Sequence, residues 1–428
     1  MSFEFNPFYV AGPTSIDHFI MREDELDSIF ANIYNGVSVA IYGESGVGKS
    51  SILKYIASKE AWRSLPLEAR WSETWVIYYN CRFLNRPFSA NHFWREVLTE
   101  TQLATSDDSR LQEMLSKVLE RDYIEARDIR RILNALSEGK GKGRLLLMLD
   151  DFGAIFEEEY DRSDMSNFLG DFRNLAAYHP HGNIFSIVTT SFKRLNELGP
   201  RMITSSPWYN HFAFVRLDAF NETEVQHLLA RFFFPDQDVD FIEKVAGRHP
   251  ALLQNACSLL YNKRQGVRDA ELDYNQLGWD FEDQVRPIFH SFWHHSSPTE
   301  QMLMMLIALK NLGGRVHRGR KYSLKDLDII FSQHEKELRD LIYRGLLQRN
   351  DGMEEDYAFS SSLMEWWVVK EVEKSKDEIE LERRMTVFGQ RVSTRQKERL
   401  KDIARTVWKN KDAIKDIGRW LIDLGPST

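Results

Sequence analysis

The chain has 428 residues, a formal net charge of −8 and 43% hydrophobic residues. This length predicts several globular domains with their own cores, and the charge argues against nonspecific attraction to nucleic acid. The sequence contains no apolar run near the roughly 20 residues of a membrane span and no signal-like start, so we expect a cytoplasmic protein. Cys81 and Cys257 lie in apolar segments and are expected to be buried thiols, and no ligand spacing typical of a protein-only metal site occurs.

The first predicted strand, 37–42, leads into the glycine-rich segment Tyr42-Gly-Glu-Ser-Gly-Val-Gly-Lys-Ser-Ser51. This segment fits the pattern G-x-x-x-x-G-K-[ST], in which backbone N–H groups surround phosphates at the start of a helix. Lys49 is predicted to reach the β- and γ-phosphates, and the Ser50 hydroxyl is predicted to ligate Mg²⁺. The predicted nucleotide contacts in this loop are Gly43, Glu44, Ser45, Gly46, Val47, Gly48, Lys49, Ser50 and Ser51.

A second strand is predicted at 75–81, followed by a long helical stretch from 89 to 136. The run Arg144-Leu-Leu-Leu-Met-Leu-Asp-Asp-Phe152 then predicts a buried strand that ends in two carboxylates. Asp150 is placed to hold Mg²⁺ through water, and Asp151 is placed to polarise the water that attacks the γ-phosphate.

Two further strands are predicted at 183–191 and 211–217. Five strands that alternate with helices predict an α/β fold, a parallel P-loop NTPase sheet covered on both faces. The extra strand between the phosphate loop and the acidic strand is typical of hydrolysing NTPases rather than nucleotide kinases or GTPases.

Hydroxyl side chains end the fourth predicted strand. Thr190 is a candidate catalytic residue that senses the γ-phosphate or positions water, and the alternative is a strand-to-loop turn. Arg194 and Arg201 lie just beyond, and each is either an arginine finger toward a neighbouring subunit or an ordinary surface arginine.

Together these motifs resemble the STAND ATPases, signal-transduction ATPases with numerous domains that are related to the AAA+ ATPases. The resemblance covers roughly residues 1–370 and includes two further stretches, Phe5–Pro13 with His18–Glu23, and Ala246–Gln254. It implies that Phe19 and Arg22 pack near the adenine and that His249 and Pro250, at the start of a lid helix, touch the base or its phosphates. Without the resemblance, Gly-x-x-Pro before an apolar run simply predicts a helix start.

The second half of the chain is predicted to be helical. An apolar periodicity over 222–262 predicts a lid, and Ser297-Pro-Thr-Glu300 predicts the capped start of a helix. A second helix at 323–331, a third helix at 333–343 and a two-stranded ribbon of 345–349 with 357–359 complete a predicted winged-helix unit. The predicted domains are a lead-in segment at 1–30, an ATPase core at 31–220, a lid at 221–285, a winged helix at 286–375 and a basic helical region at 376–428.

Charge patterns leave the partner of this half open. The third helix has balanced charges and the ribbon loop 351–356 is acidic, which disfavours DNA, whereas the loop 315–321 is basic. From Arg383 onward twelve basic side chains face five acidic ones, a net charge of +7. This amphipathic tail suits an anionic membrane, a nucleic acid or a protein partner, or it packs on its own domain.

The resemblance implies an ATP-operated switch that binds ATP or ADP with Mg²⁺, hydrolyses ATP and self-associates when ATP is bound, in a prokaryotic signalling or defence pathway. The alternative is a DNA-associated AAA+ ATPase of the origin-recognition or transposition-helper type. Phosphate transfer to another molecule is disfavoured because no acceptor site is apparent in the sequence.

Overall fold

A computed structural model describes residues 5–64, 72, 74–138, 143–157, 161–177, 185–199, 207–265, 272–313, 327–349, 357–373 and 405. The chain forms two units. One, the sheet unit, comprises Pro13–Glu44 and Gly48–Leu217, and the other, the helical unit, comprises 5–12, 45–47 and the residues from 218 onward. Arg201, the basic loop 315–321, the ribbon loop 351–356 and the basic tail apart from Arg405 lie outside the described residues.

A five-stranded parallel sheet organises the sheet unit, in the order β2-β3-β4-β1-β5. Every residue of β3 and β4 is buried. Because successive side chains of a strand point to opposite faces, both faces of the sheet are covered, as predicted. The strands are β1 (Ser38–Tyr42), β2 (Thr74–Asn80), β3 (Arg144–Asp150), β4 (Phe185–Ser191) and β5 (Phe212–Arg216).

The register brings the carboxyl ends of these strands to one edge. Asn80 lies opposite Asp150, and Tyr42 lies opposite Ser191. The residues that follow β1, β3 and β4 therefore lie close together, although they are far apart in the sequence.

Helices surround the sheet and supply an aromatic core, in which Phe93 packs on Phe168 with ring centroids 4.9 Å apart. The predicted helical stretch 89–136 consists of three helices. Asp108 breaks it by accepting a hydrogen bond from the Leu111 N–H at 3.1 Å, which starts a new helix. The helices of this unit are α1 (Glu23–Tyr34), α2 (Lys49–Ile56), α3 (Lys59–Ser64), α4 (Ala90–Ala104), α5 (Ser109–Leu119), α6 (Ala126–Glu138) and α7 (Arg162–Ala177).

The helical unit continues from the end of the sheet. Its long helix, Tyr274–His295, was not predicted from the sequence. Its described elements are α8 (Glu222–Leu229), α9 (Asp236–Ala246), α10 (Pro250–Arg264), α11 (Tyr274–His295), α12 (Pro298–Gly313), α13 (Leu327–Gln333), α14 (Glu335–Tyr343), β6 (Leu347–Arg349), β7 (Tyr357–Phe359) and α15 (Ser362–Glu373).

The elements predicted for a winged helix are present in the expected order. The predicted cap starts α12, since the Ser297 N–H donates to Glu300 Oε2 at 2.5 Å and the Glu300 N–H donates to Ser297 Oγ at 3.3 Å. Strands β6 and β7 form an antiparallel ribbon in which Leu347 pairs with Phe359.

Two serines connect the ribbon end of this unit to α9. The Ser361 hydroxyl donates to the Val245 carbonyl at 2.5 Å, and the Ser362 hydroxyl donates to the Lys244 carbonyl at 3.0 Å. These carbonyls belong to the last turn of α9, where no further helical N–H follows to pair with them. The serines therefore cap α9 from a distant part of the sequence.

A buried ion pair holds α9 to α10. Arg264 donates from Nε and Nη2 to the two oxygens of Asp238, each at 2.8 Å, and the Tyr274 hydroxyl donates to Asp238 Oδ1 at 2.8 Å.

Cys81 and Cys257 are both free and buried, as predicted. None of the helices among the described residues is long and apolar enough to cross a membrane.

Candidate nucleotide-binding site

The loop between β1 and α2 has the backbone form that binds an anion. Gly48, the residue before α2, has φ +105, which glycine adopts readily and other residues rarely do. Gly48 is the N-cap of α2 and has no side chain that could accept a hydrogen bond from the first turn of the helix. The N–H groups of that turn and the positive end of the helix dipole are thus available to a phosphate.

Lys49 begins α2 and folds back over this loop. Its Nζ donates to the carbonyls of Gly43 and Glu44, at 2.9 Å each. Burial lowers the pKa of Lys49, while the charges of Glu44, Asp151 and Asp150 act to raise it. The ammonium therefore lies within electrostatic reach of the carboxylates at the end of β3 and is held by weak neutral acceptors that a phosphate can replace.

Asp150 ends β3 and is held by neighbours on both sides. The Thr190 hydroxyl of β4 donates to Oδ1 at 2.5 Å, and the Tyr78 hydroxyl of β2 donates to Oδ2 at 2.8 Å. Burial, followed by the nearby Asp150 charge, raises the pKa of Tyr78 well above its ordinary value, so the phenol stays a donor. Thr190 thus contacts the carboxylate that ends β3, whereas its catalytic role stays a prediction.

Asp151 lies just beyond β3 with φ +49 and ψ +40, a left-handed conformation that aspartate tolerates better than most residues. Its N–H donates to Thr190 Oγ1 at 2.8 Å. Its carboxylate accepts a hydrogen bond from Arg82 Nε at 2.7 Å, and the Arg82 side chain is 56% exposed. The carboxylate predicted to polarise water is thus engaged in an ion pair in this structure.

Sequence reasoning missed Tyr78 and Arg82. Both lie at the carboxyl end of β2, which neighbours β3 in the sheet. They could have been predicted from the order of the strands, because the side chains at the carboxyl ends of adjacent parallel strands lie at one edge of the sheet.

Arg194 contacts its own chain. Its Nε donates to the Tyr42 hydroxyl at 2.7 Å, and its guanidinium lies 5.0 Å from the centre of the Tyr42 ring. Tyr42 is the last residue of β1, directly before the phosphate loop. An arginine-finger role for Arg194 stays a prediction, as it does for Arg201, which lies outside the described residues.

Residues 14 and 19 of the predicted lead-in segment contact α2. The Thr14 N–H donates to Ser51 Oγ at 3.2 Å, and Phe19 stacks on Tyr55 with ring centroids 4.6 Å apart. Arg22 is buried and lies 3.5 Å from Glu25. Phe19 is thereby placed on the helix that begins at Lys49, whereas the predicted adenine contact of Phe19 and Arg22 stays a prediction.

Residues 45–47, His249 and Pro250 belong to the helical unit. His249 is buried at the N-cap of α10, and Pro250 is the first residue of that helix, as the sequence predicts. A Cβ on Gly46, where φ is +76, would lie 2.7 Å from Ala251 Cβ and 3.1 Å from His249 Cε1. Only glycine fits there, because both the backbone and the space exclude a side chain.

Residues 18–170 match the family model of the AAA ATPase domain. No curated protein matches the sequence. Among solved structures, the chain is similar to the Walker-type ATPase PABY2304 of Pyrococcus abyssi at 16% identity and a TM-score of 0.52, over 85% of this chain and 99% of that one. The fold is that of an AAA+ P-loop NTPase.

Two other solved structures are similar to the chain at lower TM-scores. The ORC2 protein of Aeropyrum pernix, in ADPNP and ADP complexes, has 15% identity and a TM-score of 0.44, covering 77% of this chain and 86% of its own. AMPPCP-bound DnaA of Aquifex aeolicus has 14% identity and a TM-score of 0.40, covering 96% and 99%.

Proposed function

We propose that this protein binds and hydrolyses ATP and that its nucleotide state controls self-association or the binding of a protein partner. The proposal that the protein binds and hydrolyses ATP rests on the start of α2. There Gly48 and Lys49 supply N–H groups and an ammonium within electrostatic reach of the Asp150 and Asp151 carboxylates. Cationic donors beside paired carboxylates fit a polyphosphate together with its divalent cation.

Each residue of this site has a proposed role. The loop N–H groups and Lys49 hold the phosphates, while Asp151 orients and polarises the attacking water once it leaves Arg82. Thr190 fixes the Asp151 backbone and the Asp150 side chain at the same time. Mg²⁺, when bound through the Ser50 hydroxyl and through water on Asp150, would neutralise charge on the phosphate oxygens.

The switch part of the proposal rests on the family that the sequence resembles and on one general requirement. A nucleotide shifts a conformational equilibrium only if it binds the two conformations with different affinity. Hydrolysis of ATP to ADP replaces one ligand by another and thereby resets the equilibrium. We propose a protein partner or a second copy of this chain as the output.

The charges on α14 favour a protein partner over DNA at this helix. Arg339 lies 3.6 Å from Glu335 on its exposed face. Arg344 is not free for phosphates, since it lies 3.1 Å from Glu300 and its side chain is 10% exposed. A helix that reads DNA needs unpaired positive charge on its outer face.

The alternative function, a DNA-associated ATPase, draws its support from the basic loop 315–321 and the basic tail in the sequence. Fluorescence anisotropy of a labelled duplex at stepped salt separates the two proposals. Tight, ATP-dependent and salt-sensitive binding would replace the switch proposal, and no binding near physiological salt would favour it.

The ATPase proposal is tested with two variants and their matched controls. Lys49→Ala should abolish nucleotide binding, whereas Lys54→Ala, on an exposed position of the same helix, should not. Asp151→Asn should bind ATP with little change and lose hydrolysis, whereas the exposed Asp107→Asn should hydrolyse normally. Normal turnover by Asp151→Asn would remove the assigned base.

Sedimentation of wild type and Asp151→Asn tests the switch. We expect a larger assembly with ATP than with ADP, and we expect it to persist in the variant because the variant cannot reset. If the protein sediments equally with ATP and ADP, and binds other proteins equally with both nucleotides, it is an ATPase without the proposed switch.

A further inference from the structure

The Asp150 carboxylate is almost fully occupied by donors of its own protein. Thr190 Oγ1 donates to Oδ1 at 2.5 Å, and the Tyr78 hydroxyl donates to Oδ2 at 2.8 Å. The Asp151 N–H is shared between Thr190 Oγ1 at 2.8 Å and Asp150 Oδ1 at 3.1 Å. A carboxylate offers about four acceptor positions, two on each oxygen. Among the described residues these donors fill both positions on Oδ1 and leave one position on Oδ2.

We propose that Tyr78 is a positioning residue that limits how strongly Asp150 holds the hydrated Mg²⁺ of a bound nucleotide. This inference rests on the proposed ATP site, since it takes that metal as the partner of Asp150. The Tyr78 hydroxyl occupies one of the two acceptor positions on Oδ2 and draws negative charge from it. One position is left for metal-bound water, at a reduced acceptor strength.

The sheet explains why Tyr78 has this role and its neighbour does not. Asn80 is the residue of β2 opposite Asp150, and Tyr78 lies two residues earlier on the same face of the strand. Tyr79 points to the opposite face, where its buried hydroxyl has no hydrogen-bond partner among the described residues. The two adjacent tyrosines thus form a natural pair of test and control positions.

The orientation of Asp150 does not depend on Tyr78 alone. The two donors to Oδ1 come from β4 and from the backbone after β3, and both persist when the phenol is removed. Tyr78→Phe should therefore leave the carboxylate in place and release an acceptor position on Oδ2. The metal should bind more tightly as a result, not less.

The test measures metal affinity rather than turnover. A fluorescent nonhydrolysable ATP analogue is bound to wild type, Tyr78→Phe and Tyr79→Phe, and MgCl₂ is titrated while the affinity for the analogue is followed. In Tyr78→Phe we expect the half-saturating Mg²⁺ concentration to fall by about three- to tenfold, the range of the net contribution of one hydrogen bond. Without Mg²⁺ the affinity of this variant should equal that of wild type, and Tyr79→Phe should match wild type throughout.

If Tyr78→Phe folds poorly, Tyr78→Met is measured in its place. Tyr78→Met also lacks the hydroxyl and must shift the Mg²⁺ midpoint in the same direction. An unchanged or raised midpoint in a variant with the wild-type melting temperature would overturn the role of Tyr78 while leaving the ATP site intact. A wild-type protein whose nucleotide affinity does not respond to Mg²⁺ would overturn the inference together with the metal-dependent ATP site.

Discussion

Replacing Arg82 by alanine should accelerate ATP hydrolysis. Arg82 Nε lies 2.7 Å from Asp151 Oδ2, so the carboxylate assigned to polarise water is occupied whenever this ion pair forms. In Arg82→Ala the carboxylate is free in every molecule. Arg82 is not among the residues assigned to hold the phosphates, so the affinity for the nucleotide should change little.

The exposure of the pair sets the size of this effect. The side chains of Arg82 and Asp151 are 56% and 30% exposed, so solvent screens the pair. Exposed ion pairs contribute up to about 1 kcal/mol, which corresponds to a change of about fivefold in the population of free carboxylate. We therefore expect kcat to rise by about two- to fivefold.

Steady-state hydrolysis at saturating Mg-ATP measures the change. Arg127→Ala is the matched control. Arg127 lies on α6 and forms a similarly exposed ion pair, in which its Nε is 2.6 Å from Glu125 Oε2. A tenfold or larger fall in kcat for Arg82→Ala would refute this reasoning and would mean that Arg82 stabilises charge in the transition state.

Three further changes test the structure. Arg264→Met should cost about 3–5 kcal/mol of unfolding free energy in urea, because it leaves the fully buried Asp238 carboxylate without its cation; a loss below about 1 kcal/mol would contradict this. Since burial lowers the folded-state pKa of Lys49, its charge opposes folding at low pH and this opposition fades as the pH rises through that pKa. The melting temperature of nucleotide-free Lys49→Met relative to wild type should therefore decline from pH 7 to pH 10, and a rise would contradict the pKa direction. Gly48→Ala should cost about 1–3 kcal/mol through strain at φ +105, whereas Gly170→Ala, in α7 with open space at its Cβ, should be neutral or stabilising by thermal melting.

The sheet could be predicted closely because buried parallel strands are continuous apolar runs. The acidic strand was expected at 144–152 and is found at Arg144–Asp150, and the phosphate loop lies between a strand and a helix as its motif requires. Composition and spacing along the chain were sufficient for these elements.

Other features depend on neighbours that are distant in sequence. Tyr78 and Arg82 reach the acidic residues only through the order of the strands, and no periodicity records that order. The helix α11 contains Pro287, which suggests a break that packing overrides. Arg344 directly follows α14, and nothing in the sequence around it indicates its ion pair with Glu300, in which neither side chain is more than 10% exposed.

The serine caps on α9 make two predicted segments depend on each other. Ser361 and Ser362 belong to the segment 286–375, but they satisfy carbonyls of the segment 221–285. A chain shortened at 285 would expose the end of α9 and lose these bonds. We therefore expect the two segments to unfold as one cooperative block, so that their amide hydrogens exchange with solvent at the same rate. Any regulatory surface at the ribbon would then move together with α9.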